Sequence, residues 1–290
     1  MSKIVVAGSL HYDIFVESPF RPAKGETVLG YKWYPKFGGK GGNQALACAK
    51  SGGEVVMVSA VGSDSFADPL LNILHKNNIN SDFVQRCEHI KSGMSVAIAD
   101  DDGDYGAVVV SGANLYIDNS VFSNKELFCD AKMLILQNEV MEETNIAAAK
   151  SAKENNVIVC VNAAPARKMS EEFTSLIDIL IVNAVEAQGF CNVCVDSLQK
   201  AEEAAKELHK KFKCVIVTAG GDGVAYCDDF SFGSVASEKV NVISTHGAGD
   251  CFVGNLCVQL CNNKSIEEAI KLANHKAALH VSTVQEENNL

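Results

Sequence analysis

Six short apolar runs rich in β-branched residues recur along the chain, at Ile4 to Ala7, Val55 to Val61, Met133 to Leu136, Val157 to Val161, Ile179 to Val182 and Cys214 to Thr218. Continuous apolar runs of this length mark strands buried on both faces, where alternation would mark a strand with one wet face. Between them lie longer segments whose apolar residues return about every 3.6 positions, clearest at Asn43 to Lys50, Thr144 to Glu154, Asp196 to Lys211 and Ser265 to Val281. Ser265 and Glu268 stand at capping-box spacing and mark the start of the last of these helices. Strands that need cover on both sides, alternating with helices that supply it, predict an α/β fold around a mostly parallel sheet.

Two stretches break that rhythm. Residues about 12–36 and 92–111 carry alternating patterns punctuated by Gly and Pro, including a turn over Asp100 to Asp104 with Gly103, and these predict antiparallel hairpins. Both fall in the first half, and the 290 residues contain no repeat, low-complexity tract or linker that would separate two domains. The expectation is one domain over residues 1–290 with a small β excursion.

Charge narrows the partners. The chain carries 25 basic and 36 acidic side chains, a formal net charge of −11, and no Lys/Arg-rich run. Nucleic acids and anionic membrane surfaces are bound through positive charge, so neither is an expected partner, and a small molecule or another protein is. No apolar stretch approaches the roughly 20 residues that span a bilayer, and Ile4 to Ala7 is too short for a signal-peptide core, so a cytoplasmic location is expected. Most of the eleven cysteines sit inside apolar runs and read as small core hydrophobes. Cys191 and Cys194 form a C-x-x-C pair with no second pair at zinc-site spacing, which reads as two reduced loop thiols.

Two glycine-rich turns carry the chemistry. In Ser244 to Gly254, small residues lead into an apolar helical run, so main-chain N–H groups can approach an anion at a helix N-terminus. Asp250 at the end of that turn is placed either to take a proton from an attacking hydroxyl or to serve as an ordinary first-turn helix acid. The second turn, Phe37 to Ala45, superficially suggests a P-loop, but Gly41 follows Lys40 where that motif needs Ser or Thr. No strand-to-helix turn has G-x-G-x-x-G, which lowers the case for a dinucleotide-dependent dehydrogenase. Lys40 and Asn43 remain as hydrogen-bonding groups of a substrate-facing turn. Asp13, just after a buried strand, needs a polar partner, which a ligand or a loop hydrogen bond could supply.

Together these residues resemble the ribokinase family of sugar kinases, the PfkB carbohydrate kinases, from Gly8-Ser9 to about Ser282. Gly38 to Ala45 resembles that family's N-terminal signature and Thr245 to Gly254 its C-terminal one. The resemblance implies a three-layer α/β/α domain whose β excursion is a small β-sheet lid, able to pair with a second subunit as a homodimer. It implies a kinase that uses ATP and Mg²⁺ to phosphorylate a primary hydroxyl of a free sugar, ribose-like or a ketohexose. Asp250 matches the catalytic base, and Gly247, Ala248 and Gly249 the anion hole. Asp13, His11, Gly39, Lys40, Asn43 and Glu139 match the sugar site. Asn183 and Glu186 are similar to the N-x-x-E motif that organises Mg²⁺ and the phosphates through water. Thr218, Gly220 and Gly223 resemble the nucleotide loop, and Asn274 falls where a family residue lies beside the adenine. Each also has a plainer reading: Asn183 as a strand end, Glu186 as a first-turn acid, and Gly220 and Gly223 as a hairpin.

The chain departs from the pattern in three places. Ribokinases place an Asn where this chain has His11, which puts ribose itself in doubt. Ser244 stands where members activated by monovalent cations have Asp, and Val284 to Glu286, where a second cation loop would fall, lacks its glycine, so K⁺ activation is not expected. The chain stops at Leu290 without a closing helix, and Gln285 to Leu290 reads as a frayed polar tail. His246 reads as a solvent-facing spacer or a phosphate contact, and His275, Lys276 and His280 as a solvated helix face. The competing functions are a nucleoside kinase of the same family and a non-catalytic sugar- or nucleotide-binding protein.

Overall fold

A computed structural model describes residues 2–101, 105–283 and 290. The strands are β1 (Lys3–Ala7), β2 (His11–Glu17), β3 (Lys32–Gly38), β4 (Glu54–Gly62), β5 (Asn80–Cys87), β6 (Gly93–Ala99) and β7 (Tyr105–Val110) in the first half. They continue as β8 (Ala131–Gln137), β9 (Ile158–Asn162), β10 (Ile179–Asn183), β11 (Cys214–Thr218), β12 (Gly223–Asp228) and β13 (Phe232–Ala236). The helices are α1 (Lys40–Lys50), α2 (Ala67–Lys76), α3 (Lys125–Phe128), α4 (Glu142–Glu154) and α5 (Glu171–Ser175). After them come α6 (Ala184–Cys191), α7 (Leu198–His209), α8 (Ala248–Cys261) and α9 (Ile266–Val281).

Nine strands form one sheet in the order β13-β12-β11-β10-β9-β8-β1-β4-β5. From β11 to β5 the pairings are parallel, and β12 and β13 add an antiparallel edge. Successive side chains of a strand point to opposite faces, so an all-apolar strand feeds two cores. Along β1, Ile4 and Val6 enter the core under α1, α2, α8 and α9, while Val5 and Ala7 enter the core under α4, α5 and α7. Met133 and Ile135 against Leu134 and Leu136 repeat the division in β8. The result is the expected three-layer arrangement, each fully buried Leu, Ile or Val contributing about 1.5–3 kcal/mol.

The topology also fixes where a ligand can sit. From β1 the chain goes to β4 and β5 on one side, then returns to β8 on the other. Such a reversal opens a crevice beyond the carboxyl ends of the two central strands.

The small sheet has the order β3-β2-β6-β7. Its two hairpins, β2–β3 and β6–β7, are antiparallel as expected, but β2 and β6 join them in parallel. Between these two strands the chain passes through β4, α2 and β5, a crossover long enough to bring β6 back in the direction of β2. The Gly103 turn, Val284 to Glu286 and the rest of the tail up to residue 289 lie outside the described residues.

Helix α1 starts at Lys40, three residues earlier than periodicity indicates. Gly41 disfavours a helix by intrinsic propensity, but a Cβ there would lie 2.7 Å from the main chain of Gly8 and Ser9. Close packing against the end of β1 therefore outweighs propensity. Strand β5 carries no strong sequence signal, whereas helix α2 is missed by the sequence reading although Ala67, Leu70, Ile73 and Leu74 follow helical spacing and are buried together. The cysteines are free thiols, and Cys160 is fully buried as expected. Cys191 is not a loop residue: it ends α6, with its Sγ 3.1 Å from the carbonyl oxygen of Ala187.

Candidate active site

Four segments converge on the crevice between β1 and β8. The first is the run leaving β1. Ser9 donates its hydroxyl hydrogen to Glu139 Oε2, and the Lys40 main-chain N–H donates to the same oxygen at 2.8 Å. Glu139 thus caps the N-terminus of α1, a favourable place for a carboxylate. Farther on, Asp13 is buried. Its Oδ1 accepts from Ser95 on the neighbouring strand β6, and its carboxylate lies over the α-carbon of Gly38. His11, two residues back on the same face of β2, is 3% exposed, and its Nε2 has no hydrogen-bond partner among the described residues.

The second and third segments are the N-termini of α1 and α8. Asn43 and Gln44 on α1 reach Asp250 on α8: Gln44 Nε2 donates to Oδ1 at 2.9 Å, and Asn43 Nδ2 lies 3.4 Å from Oδ2. Gly247 caps α8 at φ 73°, a left-handed conformation that glycine adopts without strain. Ala248 N–H turns back to Thr245 O at 3.2 Å, which leaves the Gly249 and Asp250 amides at the open end of the helix. Burial raises the Asp250 carboxyl above its ordinary range, and Glu139 adds to this, while Lys40 and the bonds from Gln44 and Asn43 pull it down.

The fourth segment is the start of α6. Asn183 and Glu186 form a complete capping box there. Glu186 is buried, and burial raises its carboxyl despite the Asn183 bonds and Lys40.

One cleft of about 490 Å³ is lined by His11, Asp13, Gly39, Lys40, Asn43, Glu139, Asn183, Glu186, Thr218, Gly247, Gly249 and Asp250. Ala248, Gly220, Gly223 and Asn274 are not among its lining residues. Gly220 and Gly223 bracket a short 3₁₀ turn between β11 and β12, and Asn274 is buried within α9 with Nδ2 unpartnered among the described residues. Thr245, His246 and Gly247 also border a second cleft of about 840 Å³, so this turn is the wall between the two.

His246 is exposed, as expected of a solvent-facing residue, while its ring also meets the edge of Phe15 on β2, with centroids 5.2 Å apart at 86°. His280 differs from expectation. His280 Nε2 donates to the His246 carbonyl at 2.8 Å and ties α9 to the turn. His275 does face outward, against Glu238. Sequence reading missed Ser9, Gln44, Ser95 and Gln137. Ser95 was within reach of a period-2 argument, since it stands opposite Asp13 in the β2–β6 register. Gln44 directly follows Asn43, but nothing local marks it as a partner of Asp250.

Over residues 1–290 the chain matches the pfkB family carbohydrate kinase. A ribokinase of Bacillus subtilis (strain 168) is 35% identical over 283 residues, covering 97% of this chain and 93% of the relative. A ribokinase of Haemophilus influenzae is 32% identical over 281 residues, covering 96% and 92%. The solved structure of Arabidopsis thaliana ribokinase complexed with ribose and ATP superposes with a TM-score of 0.90 at 27% identity, covering 99% of this chain and 95% of that one.

Proposed function

Because the chain belongs to the pfkB family of carbohydrate kinases, we propose that it transfers the γ-phosphate of ATP to a primary hydroxyl of a free sugar, ribose-like or a ketohexose. Asp250 is the general base, and the turn from Gly247 to Asp250 is the anion hole. The adjacency that supports this reading is in one cleft: the Asp250 carboxylate and the open N-terminus of α8 face the same space as Asp13, Lys40 and Asn43.

Phosphoryl transfer asks a protein mainly for positioning and charge stabilisation. Asp13, His11, Asn43 and Glu139, with the Gly39–Lys40 main chain, hold the sugar hydroxyls. Asp250 takes the proton of the attacking hydroxyl, whose oxygen bonds to the γ-phosphorus as the bond to the β,γ-bridging oxygen breaks and ADP leaves. The Gly249 and Asp250 amides and the dipole of α8 hold the charge that develops, with Lys40 beside them. Thr218, Gly220, Gly223 and Asn274 serve the nucleotide. The small sheet, which carries Asp13 and Ser95, acts as a lid that keeps water from a poised base and ATP.

Mg²⁺ neutralises phosphate charge in such reactions. Glu186 and Asn183 fit it only at one remove, because both Glu186 oxygens already accept from Asn183 and no group of three or more His, Cys, Asp or Glu among the described residues could hold a metal alone. The ion would be held by phosphates and its own waters, with Glu186 behind them.

The lid supports a homodimer as well. Its cleft face carries Asp13, Phe15, Ser95 and Ala97, so Ile14, Val16, Trp33, Val96, Ile98 and Val108 fall on the opposite face by register. Trp33 and Val108 are 65% and 69% exposed there, an apolar surface that a second copy would cover.

The deciding experiment is ADP release with MgATP over pentoses, hexoses, ketohexoses and nucleosides, run beside Asp250→Asn. Turnover on one free sugar, lost in the variant while ligand still raises its melting temperature, is the expected result. Turnover on a nucleoside alone would move the assignment to that substrate class, and ligand-induced melting shifts without turnover would leave a binding protein.

A further inference from the structure

Asp250 is the outer end of a buried chain of amides. Gln44 is completely buried, and its Nε2 donates to Asp250 Oδ1 at 2.9 Å. Gln44 Oε1 accepts from Gln137 Nε2 at 2.8 Å, and Gln137 is completely buried too. Asn145 Nδ2 donates to the Gln137 main-chain carbonyl at 2.8 Å and anchors the far end to α4. Gln137 Oε1 lies against the α-carbon of Gly8 and has no hydrogen-bond partner among the described residues.

The direction of this chain follows from charge. An ionised carboxylate only accepts, so Gln44 must present its NH₂ to Asp250, and its carbonyl must then meet the Gln137 NH₂. Gln137 is left with its own carbonyl oxygen facing Gly8. A buried acceptor without a donor is unfavourable, and it is tolerated here because reversing either amide would set oxygen against oxygen inside the chain.

The two oxygens of Asp250 are consequently unequal. Oδ1 is engaged at 2.9 Å by a side chain locked from behind, whereas among the described residues Oδ2 has only the long contact to Asn43 at 3.4 Å. We propose that Gln44, backed by Gln137, is a positioning residue that fixes the rotation of the Asp250 carboxylate and leaves Oδ2 as the oxygen that takes the proton from the sugar hydroxyl. This rests on Asp250 being the base. Neither glutamine lines the cleft, so both act through Asp250 rather than on substrate. The Gln44 bond also favours the ionised form against burial. Lys40 from α1, Glu139 beyond β8, Glu186 from α6 and Cys251 on α8 itself act on the same carboxyl, and Asp13, His11 and His246 are the other titratable groups around the cleft.

The test reads Asp250 directly. In protein labelled with ¹³C at aspartate carboxyls, the Asp250 signal is identified by its loss in Asp250→Asn and titrated in the native protein, Gln44→Leu, Gln44→Glu and Gln137→Leu. Gln44→Leu should raise the midpoint by about one pH unit and lower kcat about 10- to 100-fold with little change in sugar KM. Gln44→Glu keeps the volume but adds a like charge and should raise the midpoint further. Gln137→Leu should give a smaller shift of the same sign. An unmoved midpoint in both Gln44 variants, or a kcat loss with an unmoved midpoint, is the signature of simple packing and overturns the proposal. If Asp250→Asn still released ADP at the native rate, the base assignment would fail separately, whatever the titration gave.

Discussion

Asn183 and Glu186 are bonded to each other three times: the Asn183 main-chain N–H and Nδ2 donate to the two Glu186 oxygens at 2.8 and 3.0 Å, and Glu186 N–H donates to Asn183 Oδ1 at 2.9 Å. The pair therefore closes the N-terminus of α6 whether or not it serves phosphate and metal. The two roles come apart by substitution. Asn183→Ala removes the cap and should cost about 1 kcal/mol of stability. Glu186→Gln retains a side chain suited to the box, so its melting temperature should stay near native. If Glu186 acts on Mg²⁺ through water, the Mg²⁺ concentration for half-maximal activity should nevertheless rise about tenfold. An unchanged Mg²⁺ dependence in that variant would reduce the motif to a helix cap.

Asp250 should reveal itself in stability as well as rate. Its folded-state pKa is raised by burial, so the folded protein holds this proton more tightly than the unfolded chain. The contribution to stability is fully present below the ordinary carboxylate range and is lost as pH rises through the raised folded value. Asp250→Asn removes that loss, so the melting temperature of the variant should gain on the native protein as pH rises from about 4 to about 7. Its turnover should fall about 100- to 10,000-fold. Melting curves taken across this range would contradict the assignment if the two proteins ran parallel.

His11 offers a buried Nε2 with no partner among the described residues, facing a site that binds hydroxyls in this reading. His11→Phe keeps a planar ring and removes the polar atom. Sugar KM should rise about tenfold, the value of one lost hydrogen bond, with kcat changed much less. Steady-state kinetics on the native sugar check this, and an unaltered KM would mean that the ring only fills space.

The outer face of the lid predicts an assembly. Trp33→Asp puts a charge on the apolar outer face of the small sheet, on its edge strand β3, without touching the cleft. Light scattering should show the native protein as a dimer and the variant as a monomer with unchanged far-ultraviolet circular dichroism. A native monomer at micromolar concentration would remove the second copy from the account.

Much of this molecule is readable from one chain. Six strands announce themselves because burial on both faces leaves them few polar positions, and none at all in Ile4 to Ala7 and Ile179 to Val182. The last helix is equally plain, since Ser265 and Glu268 do form the capping box that their spacing predicts. Gly247 and Asp250 are conspicuous because a small-residue turn before an apolar helix is unusual in composition. Less visible are elements whose stability comes from neighbours. The edge strand β5 is only partly buried, and the first turn of α1 is helical because Gly41 packs against the end of β1 and Gly42 against the Phe37 and Leu10 side chains. The parallel join of β2 to β6 lies beyond any hairpin signal, because it depends on where β4, α2 and β5 carry the chain.

By itself, the sequence determines the layered α/β class, the strands that face two cores, the net negative charge that disfavours anionic partners and the residue types able to do the chemistry. These follow from local composition and period, which register burial and backbone preference residue by residue. Tertiary structure alone decides how those residues meet. Gln44 finds Asp250 across 206 positions, Gln137 finds Gln44 across 93, Ser9 finds Glu139 across 130 and Ser95 finds Asp13 across 82. Contacts at such separations depend on strand order and register: a shift of one residue would turn Ser95 or Gln137 to the other face of its strand, and would rotate Gln44 about 100° around α1, away from Asp250. The rotation of one carboxylate, and with it the oxygen left open to a substrate, is therefore a property of the assembled fold.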